Sequence, residues 1–257
     1  MELTSLPRDR SGFRIRGAAP TRLETFVDAA FAFAVTLLVI TLDPLPNSVQ
    51  ALVGALKRVP AFLASFAILA VFWLGHRNFS RRTGLEDGRT VLLSLALVAV
   101  TLIYVYPLRM IMAFAFSHLS GGYLPSALPP APGAGELRLF YVVYGTGFAA
   151  MSATLILLYR HALRRADALG LDALERLVAR QEIAAMAILV ASAALSILLA
   201  LTLPARSWLQ GLPGMVYGLL PIAMGVFAAV AARQARALRA AQAGAVETAS
   251  APASQPG

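Results

Sequence analysis

Apolar residues fall into long runs along this chain, and charged residues gather between the runs. Each run is close to the length of about 20 residues that crosses a hydrocarbon core of roughly 30 Å. The pattern predicts an all-α integral membrane protein with six transmembrane helices, over residues 22–42, 59–77, 89–116, 138–161, 182–203 and 211–234. Breakers punctuate them. Asp43-Pro44-Leu45-Pro46 stops the first helix and Pro60 suits the first turn of the second. Pro107 marks a kink or exit in the third, Pro204 ends the fifth, and Pro221 falls inside the sixth, where neighbouring helices can satisfy the freed carbonyl. Residues 117–137 are rich in Gly, Pro and Ser and read as a loop. Three regions follow: a basic N-terminal segment over 1–21, a six-helix membrane domain over 22–242, and an unstructured Ala/Ser/Pro/Gly tail over 243–257.

Composition agrees, with 58% hydrophobic and 14% charged residues. There is no cysteine, which excludes disulfides, thiolate catalysis and Cys-based metal sites. The three histidines are far apart, so no metal or other cofactor is expected. The first apolar run lacks a small-residue cleavage pattern and reads as a retained helix rather than a secretory signal.

The net charge of +9 raises the question of nucleic acid, but the arginines flank apolar runs, as topology signals do. With the N-terminus inside, 17 of the 22 Lys and Arg residues fall in inner segments. The other five (Lys57, Arg58, Arg109, Arg138 and Arg206) fall outside. The positive-inside rule therefore predicts both termini in the cytoplasm and a cell-membrane location. The inner segment before the fifth helix is amphipathic: Leu169, Leu171, Leu174, Leu177 and Val178 share one face, with Asp172, Glu175, Arg176 and Arg180 opposite. It reads as a helical extension beyond the membrane, in preference to a partner-docking surface.

Ionisable residues within a membrane run need partners. Helix one opens with Arg22, Glu24 and Asp28, the last about 6 Å deeper than Glu24 at the helical rise. Helix two returns with Trp73 and His76 on one face, followed by Arg77. An antiparallel hairpin places Arg22, Asp28, Trp73 and His76 in one layer. Two readings stay open: a polar network fixing the end of helix one, or an interfacial Trp with a snorkelling Arg and an incidental His. Helix one also carries a stripe, Phe26, Ala29, Phe33, Thr36 and Ile40, at heptad spacing. Such stripes mostly mark helix packing, with the alanines allowing close approach. The sharper reading is a pore wall, in which copies around an axis form rings.

The same residues resemble the transmembrane protein 175 potassium channels in their prokaryotic form. Arg22, Phe26, Val27 and Asp28 are similar to the family's Arg-x-x-x-Phe-Ser-Asp signature, and Ala32 to Val39 to its continuation. Ser65, Phe66, Phe72, Trp73 and His76 resemble the second helix of the family, so the match spans residues 21–82. The resemblance implies a homotetramer in which the first helix of each subunit lines a potassium-permeable pore in the bilayer. It implies no voltage-sensor helix and no carbonyl filter; the spans hold neither an Arg repeat nor a Thr-Val-Gly-Tyr-Gly loop. Carried over by position, the constriction comprises Phe33, Thr36 and Ile40.

Two positions depart from the family pattern. The signature serine is Val27, and the first constriction residue, usually Ile or Leu, is Phe33. Larger apolar bulk in a constriction favours the dewetted, closed state. A cation channel is therefore set against a non-conducting membrane scaffold of the same fold. A third reading, a proton path through Asp28 and His76, lacks a titratable group at mid-membrane in these two helices. No Gly-rich phosphate loop or nucleophile–base pair points to an enzyme.

Overall fold

The computed structural model describes residues 6–40, 47–127, 133–204, 209 and 211–250, with the side chains of 40, 134 and 243–250 left aside. The elements are α1 (Arg22–Ile40), α2 (Val49–Leu56), α3 (Val59–Thr83), α4 (Gly88–Leu119), α5 (Ala134–Arg164), α6 (Ala173–Thr202), α7 (Leu212–Gly218) and α8 (Leu220–Ser250). Five stretches are long and apolar enough to cross a bilayer: Val49–Thr83, Gly88–Leu119, Gly135–Arg164, Ala173–Thr202 and Leu212–Gln242. The 19 residues of α1 rise about 28 Å and add a sixth. The chain is thus an all-α membrane protein of six transmembrane helices.

Local chemistry sets the helix ends. Asp87 caps α4 through Thr90 N–H (2.9 Å) and Asp172 caps α6 through Glu175 N–H (2.8 Å). Glu175 answers by accepting from Asp172 N–H (2.9 Å), which completes a capping box. That box explains why α6 starts at Ala173 rather than at residue 182: the amphipathic stretch is the first part of the transmembrane helix. The second span also starts early, because α2, capped by Ser48, leads through Lys57 and Arg58 into α3. The sixth is divided. Pro221 cannot donate to the carbonyl four residues back, and the chain breaks at Leu219 between α7 and α8. Pro107, by contrast, stays inside a continuous α4. The backbone of α8 continues to Ser250, into the segment expected as a tail from 243; residues 251–257 lie outside the described residues.

Helix α5 packs against both α4 and α6, and α1 lies against α3 and α4. Aromatic rings fill the centre. Phe72 meets Phe148 edge-on at 5.6 Å, and Tyr144 lies near Phe148 and Tyr104 with centroids 6.0 and 5.4 Å apart. Gly147 admits the Tyr104 ring; any Cβ there would overlap it.

The basic N-terminal segment is folded. Arg8 and Arg14 form an isolated antiparallel bridge around a turn held by Asp9, whose Oδ1 accepts from Ser11 N–H (2.8 Å) and Phe13 N–H (3.0 Å). This arm runs back along the end of α3, where Arg16 and Gly17 N–H groups both donate to the Arg81 carbonyl at 3.0 Å. Phe13 is buried, with the Arg16 and Arg82 guanidinium carbons each 5.6 Å from its ring centre.

Candidate functional site

Helix α1 has two unlike faces. Glu24, Val27, Phe31, Ala34 and Leu38 recur at helical spacing and are buried against the bundle. Phe26, Ala29, Phe33 and Thr36 are exposed, Phe26 and Phe33 by 53% and 54%. The first four residues of the heptad stripe therefore lie on an uncovered face of α1, and packing among the described residues of one chain does not account for them. Thr36 Oγ donates to the Ala32 carbonyl at 3.0 Å, which leaves the hydroxyl oxygen's lone pairs directed away from the helix. The side chain of Ile40 lies outside the described residues.

Val27 is fully buried. A serine there would bring a hydroxyl into the core and need an acceptor, whereas valine fills the site with no polar demand. The departure from the signature is thus apolar packing on the bundle side of α1, away from the open stripe.

The four expected polar residues do not form one bonded group. Trp73 Nε1 donates to Asp28 Oδ1 at 2.7 Å, tying α3 to α1. His76 is buried but turns to α4, where its Nε2 lies 2.9 Å from Ser94 Oγ. Arg22 is exposed and, among the described residues, bonded to none of the other three. The guanidinium over the Trp73 ring belongs to Arg77, at 5.7 Å. Helix geometry explains the split. Trp73 and His76 are separated by about 60° around the axis at 100° per residue, enough for α1 to take one and α4 the other. Ser94 was missed because a lone serine in an apolar run has no pattern of its own.

A second set of ionisable residues, at the end of the bundle that carries the arm, also escaped the sequence reading. Arg14 Nη2 and Arg16 Nη2 reach Glu175 Oε2 at 2.7 and 3.0 Å, and Arg16 Nη1 reaches Oε1 at 2.9 Å. Glu175 is completely buried. Arg82 donates to Asp9 (2.8 Å), Glu182 (2.6 Å) and Tyr159 (3.1 Å), joining the arm, α3, α5 and α6. Burial alone would raise the Asp9 pKa, but hydrogen bonds from Ser11, Arg82 and Phe13 and the Arg82 charge hold it below the ordinary carboxylate value. At the start of α4, Asp87 accepts from His161 Nε2 (2.7 Å) and lies 3.0 Å from Arg165. Its pKa is also depressed, because the Thr90 and His161 bonds outweigh desolvation. The Asp172-x-x-Glu175 spacing was the one visible signal of the first cluster; its arginines read only as topology charge.

These features define a multi-pass helical membrane protein whose first helix is anchored at one end and uncovered along one face. Residues 22–107, from the start of α1 to the proline of α4, match the family model described as endosomal/lysosomal potassium channel TMEM175. A protein from Marivirga tractuosa named "Potassium channel" is 32% identical over 232 residues, covering 88% of this chain and 93% of the relative. A crystallised variant of the potassium channel MtTMEM175, in complex with a nanobody–MBP fusion, superposes with a TM-score of 0.75 at 30% identity. That match covers 88% of this chain and 100% of the other. A lysosomal potassium-selective channel TMEM175 homologue from Chamaesiphon minutus shares the fold, with a TM-score of 0.52 at 19% identity over 82% of this chain and 96% of its own. The chain belongs to the TMEM175 family, a family of ion channels and not of enzymes.

Proposed function

We propose that this chain is a potassium-permeable channel of the cytoplasmic membrane that works as a homotetramer, with α1 of each subunit lining the pore and the arm end facing the cytoplasm. The observation that carries the reading is the open stripe Phe26, Ala29, Phe33 and Thr36 on a helix whose other face is buried. Four copies around an axis cover that stripe and set rings of Phe33, Thr36 and Ile40 in series. Relatives named as potassium channels supply the ion. The concentration of arginines in and around the arm supports the orientation.

In this arrangement Phe33 is the gate. Phenyl rings offer no oxygen to replace a hydration shell, so ions pass only when the ring of side chains widens. Thr36, one turn further along, presents hydroxyl oxygens, because its proton is committed to the Ala32 carbonyl. Asp28 and Trp73 hold the end of the pore helix to α3.

The test is potassium and sodium flux in liposomes at matched protein density. Phe33→Ala should raise flux and weaken discrimination among alkali cations. Thr36→Val keeps the shape and should change selectivity more than assembly. If wild type and both variants match empty liposomes, the non-conducting scaffold reading replaces the channel.

A further inference from the structure

The arm encloses a site of its own. Between its turn, the first turn of α6 and the later part of α8 lies an open cavity of about 330 Å³, lined among others by Arg8, Arg10, Asp172, Leu174, Arg239 and Gln242. The carboxylates nearby are committed. Asp172 caps α6 with one oxygen and takes Arg8 (2.8 Å) and Arg14 (3.4 Å) on the other. Asp9 is held by Ser11, Phe13 and Arg82.

Two guanidiniums are not so committed. Arg10 is exposed and, among the described residues, bonded to no carboxylate. Arg239 donates to the Ser11 carbonyl and likewise meets no carboxylate among them. Its position is built into the turn: Gly12 has φ +90°, and a Cβ there would lie 2.8 Å from Arg239 Nη2 and 2.7 Å from Leu174 Cδ2. The left-handed backbone favours glycine, and its missing Cβ leaves room for the tips of Leu174 and Arg239.

We propose that this cavity binds a phosphate-bearing anion, with Arg10 and Arg239 as the donors and Arg8 beside them. Guanidinium forks match phosphate oxygens in pairs, and such charge-assisted bonds are the strong ones. The carboxylates that would otherwise oppose an anion are already neutralised by arginine. Leu174 and Arg239 sit towards the ends of helices of 30 and 31 residues, longer than a crossing needs, so the ligand is either a lipid headgroup or a free phosphate. This inference does not depend on the pore.

The experiment uses the full chain and two probes: inorganic pyrophosphate by calorimetry in detergent, and phosphatidic acid against phosphatidylcholine by retention in native mass spectrometry. Wild type is compared with R10Q/R239Q and with R10K/R239K. The glutamine pair should bind at least one probe about tenfold more weakly, the step that one charge-assisted bond represents, with the lysine pair between the two. Phosphatidic acid retained without pyrophosphate binding assigns the site to a headgroup; pyrophosphate binding that displaces the lipid assigns it to free phosphate as well. If neither probe separates wild type from R10Q/R239Q, the site is refuted. Arg10→Gln alone, on an exposed side chain, keeps the test decisive should the pair fold poorly.

Discussion

Glu175→Gln isolates the worth of the arm's anchor. The carboxylate is completely buried, and the Arg14 and Arg16 side chains that grip it are only 7% and 8% exposed. Glutamine keeps the volume and can still accept from the Asp172 N–H, so the helix cap survives. It lacks the charge and one acceptor oxygen, and two guanidiniums are left in a site where water scarcely reaches. Breaking a buried pair in this way costs about 3–5 kcal/mol, because Arg16 loses its carboxylate and Arg14 keeps, among the described residues, only that of Asp172 at 3.4 Å. For a chain of this size each kcal/mol is about 2–4 °C of melting temperature, so a fall on the order of 10 °C is expected. The assay is the loss of the size-exclusion peak after heating in detergent. Asp167→Asn serves as control, since its ion pair with Arg176 is 96% exposed on the Asp side and should leave the midpoint unchanged. Tryptic cleavage after Arg8 and Arg10 should also accelerate in Glu175→Gln. If the variant melts with the control and its arm is cut no faster, the arm is not held by this pair.

Trp73→Phe keeps an aromatic ring but removes the indole donor to Asp28, which should cost about 1.5–3 kcal/mol and lower the melting midpoint; an unchanged midpoint would count against the anchor. Val27→Ser restores the signature residue but trades buried methyl groups for a hydroxyl, so a loss of roughly 1–2 kcal/mol is expected, and a rise in melting temperature would show that the site wants a polar partner. Asp9 and Asp87 have depressed pKa values when folded, so each contributes stability that is whole above its ordinary carboxylate pKa and is lost as pH falls through the lower folded value. The melting gap between wild type and Asp9→Asn should accordingly be steady near neutrality and close in acid below about pH 4; a gap that persists there would sink the assignment.

The membrane fold was legible because its cause is simple. A bilayer demands about 20 apolar residues per crossing, and prolines and charges mark the ends. Boundaries failed where a second force acted. The Asp172–Glu175 capping box extends α6 below its apolar run, and Ser48 starts α2 ahead of Pro60. The contact between Trp73 and Asp28 was within reach of the sequence, since depth and an antiparallel hairpin bring the two together. The partner of His76 was not, because it depends on which side α4 takes around α3. The arm was the largest omission. Its arginines carry the same charge whether they signal topology or clasp Glu175, and only the fold brings residues 14 and 175 together.

The two faces of α1 explain where the chain keeps its family pattern and where it departs from it. In the proposed tetramer α1 must pack on its own subunit and also line a shared axis, which leaves little freedom in register, because a rotation that improves one face spoils the other. Two devices fix that rotation here. One is the apolar stripe of Val27, Phe31, Ala34 and Leu38, and the other is the Trp73–Asp28 bond at one end. Val27 shows that the first can absorb a lost hydroxyl when a buried methyl pair takes its place. Phe33 lies on the opposite face and is 54% exposed, so the described residues of the subunit leave room for a larger side chain there. In the proposed tetramer its bulk is limited by the symmetric assembly rather than by the fold of the single chain. The departure at Val27 then bears on stability and, in the proposed channel, the departure at Phe33 bears on the width of the pore.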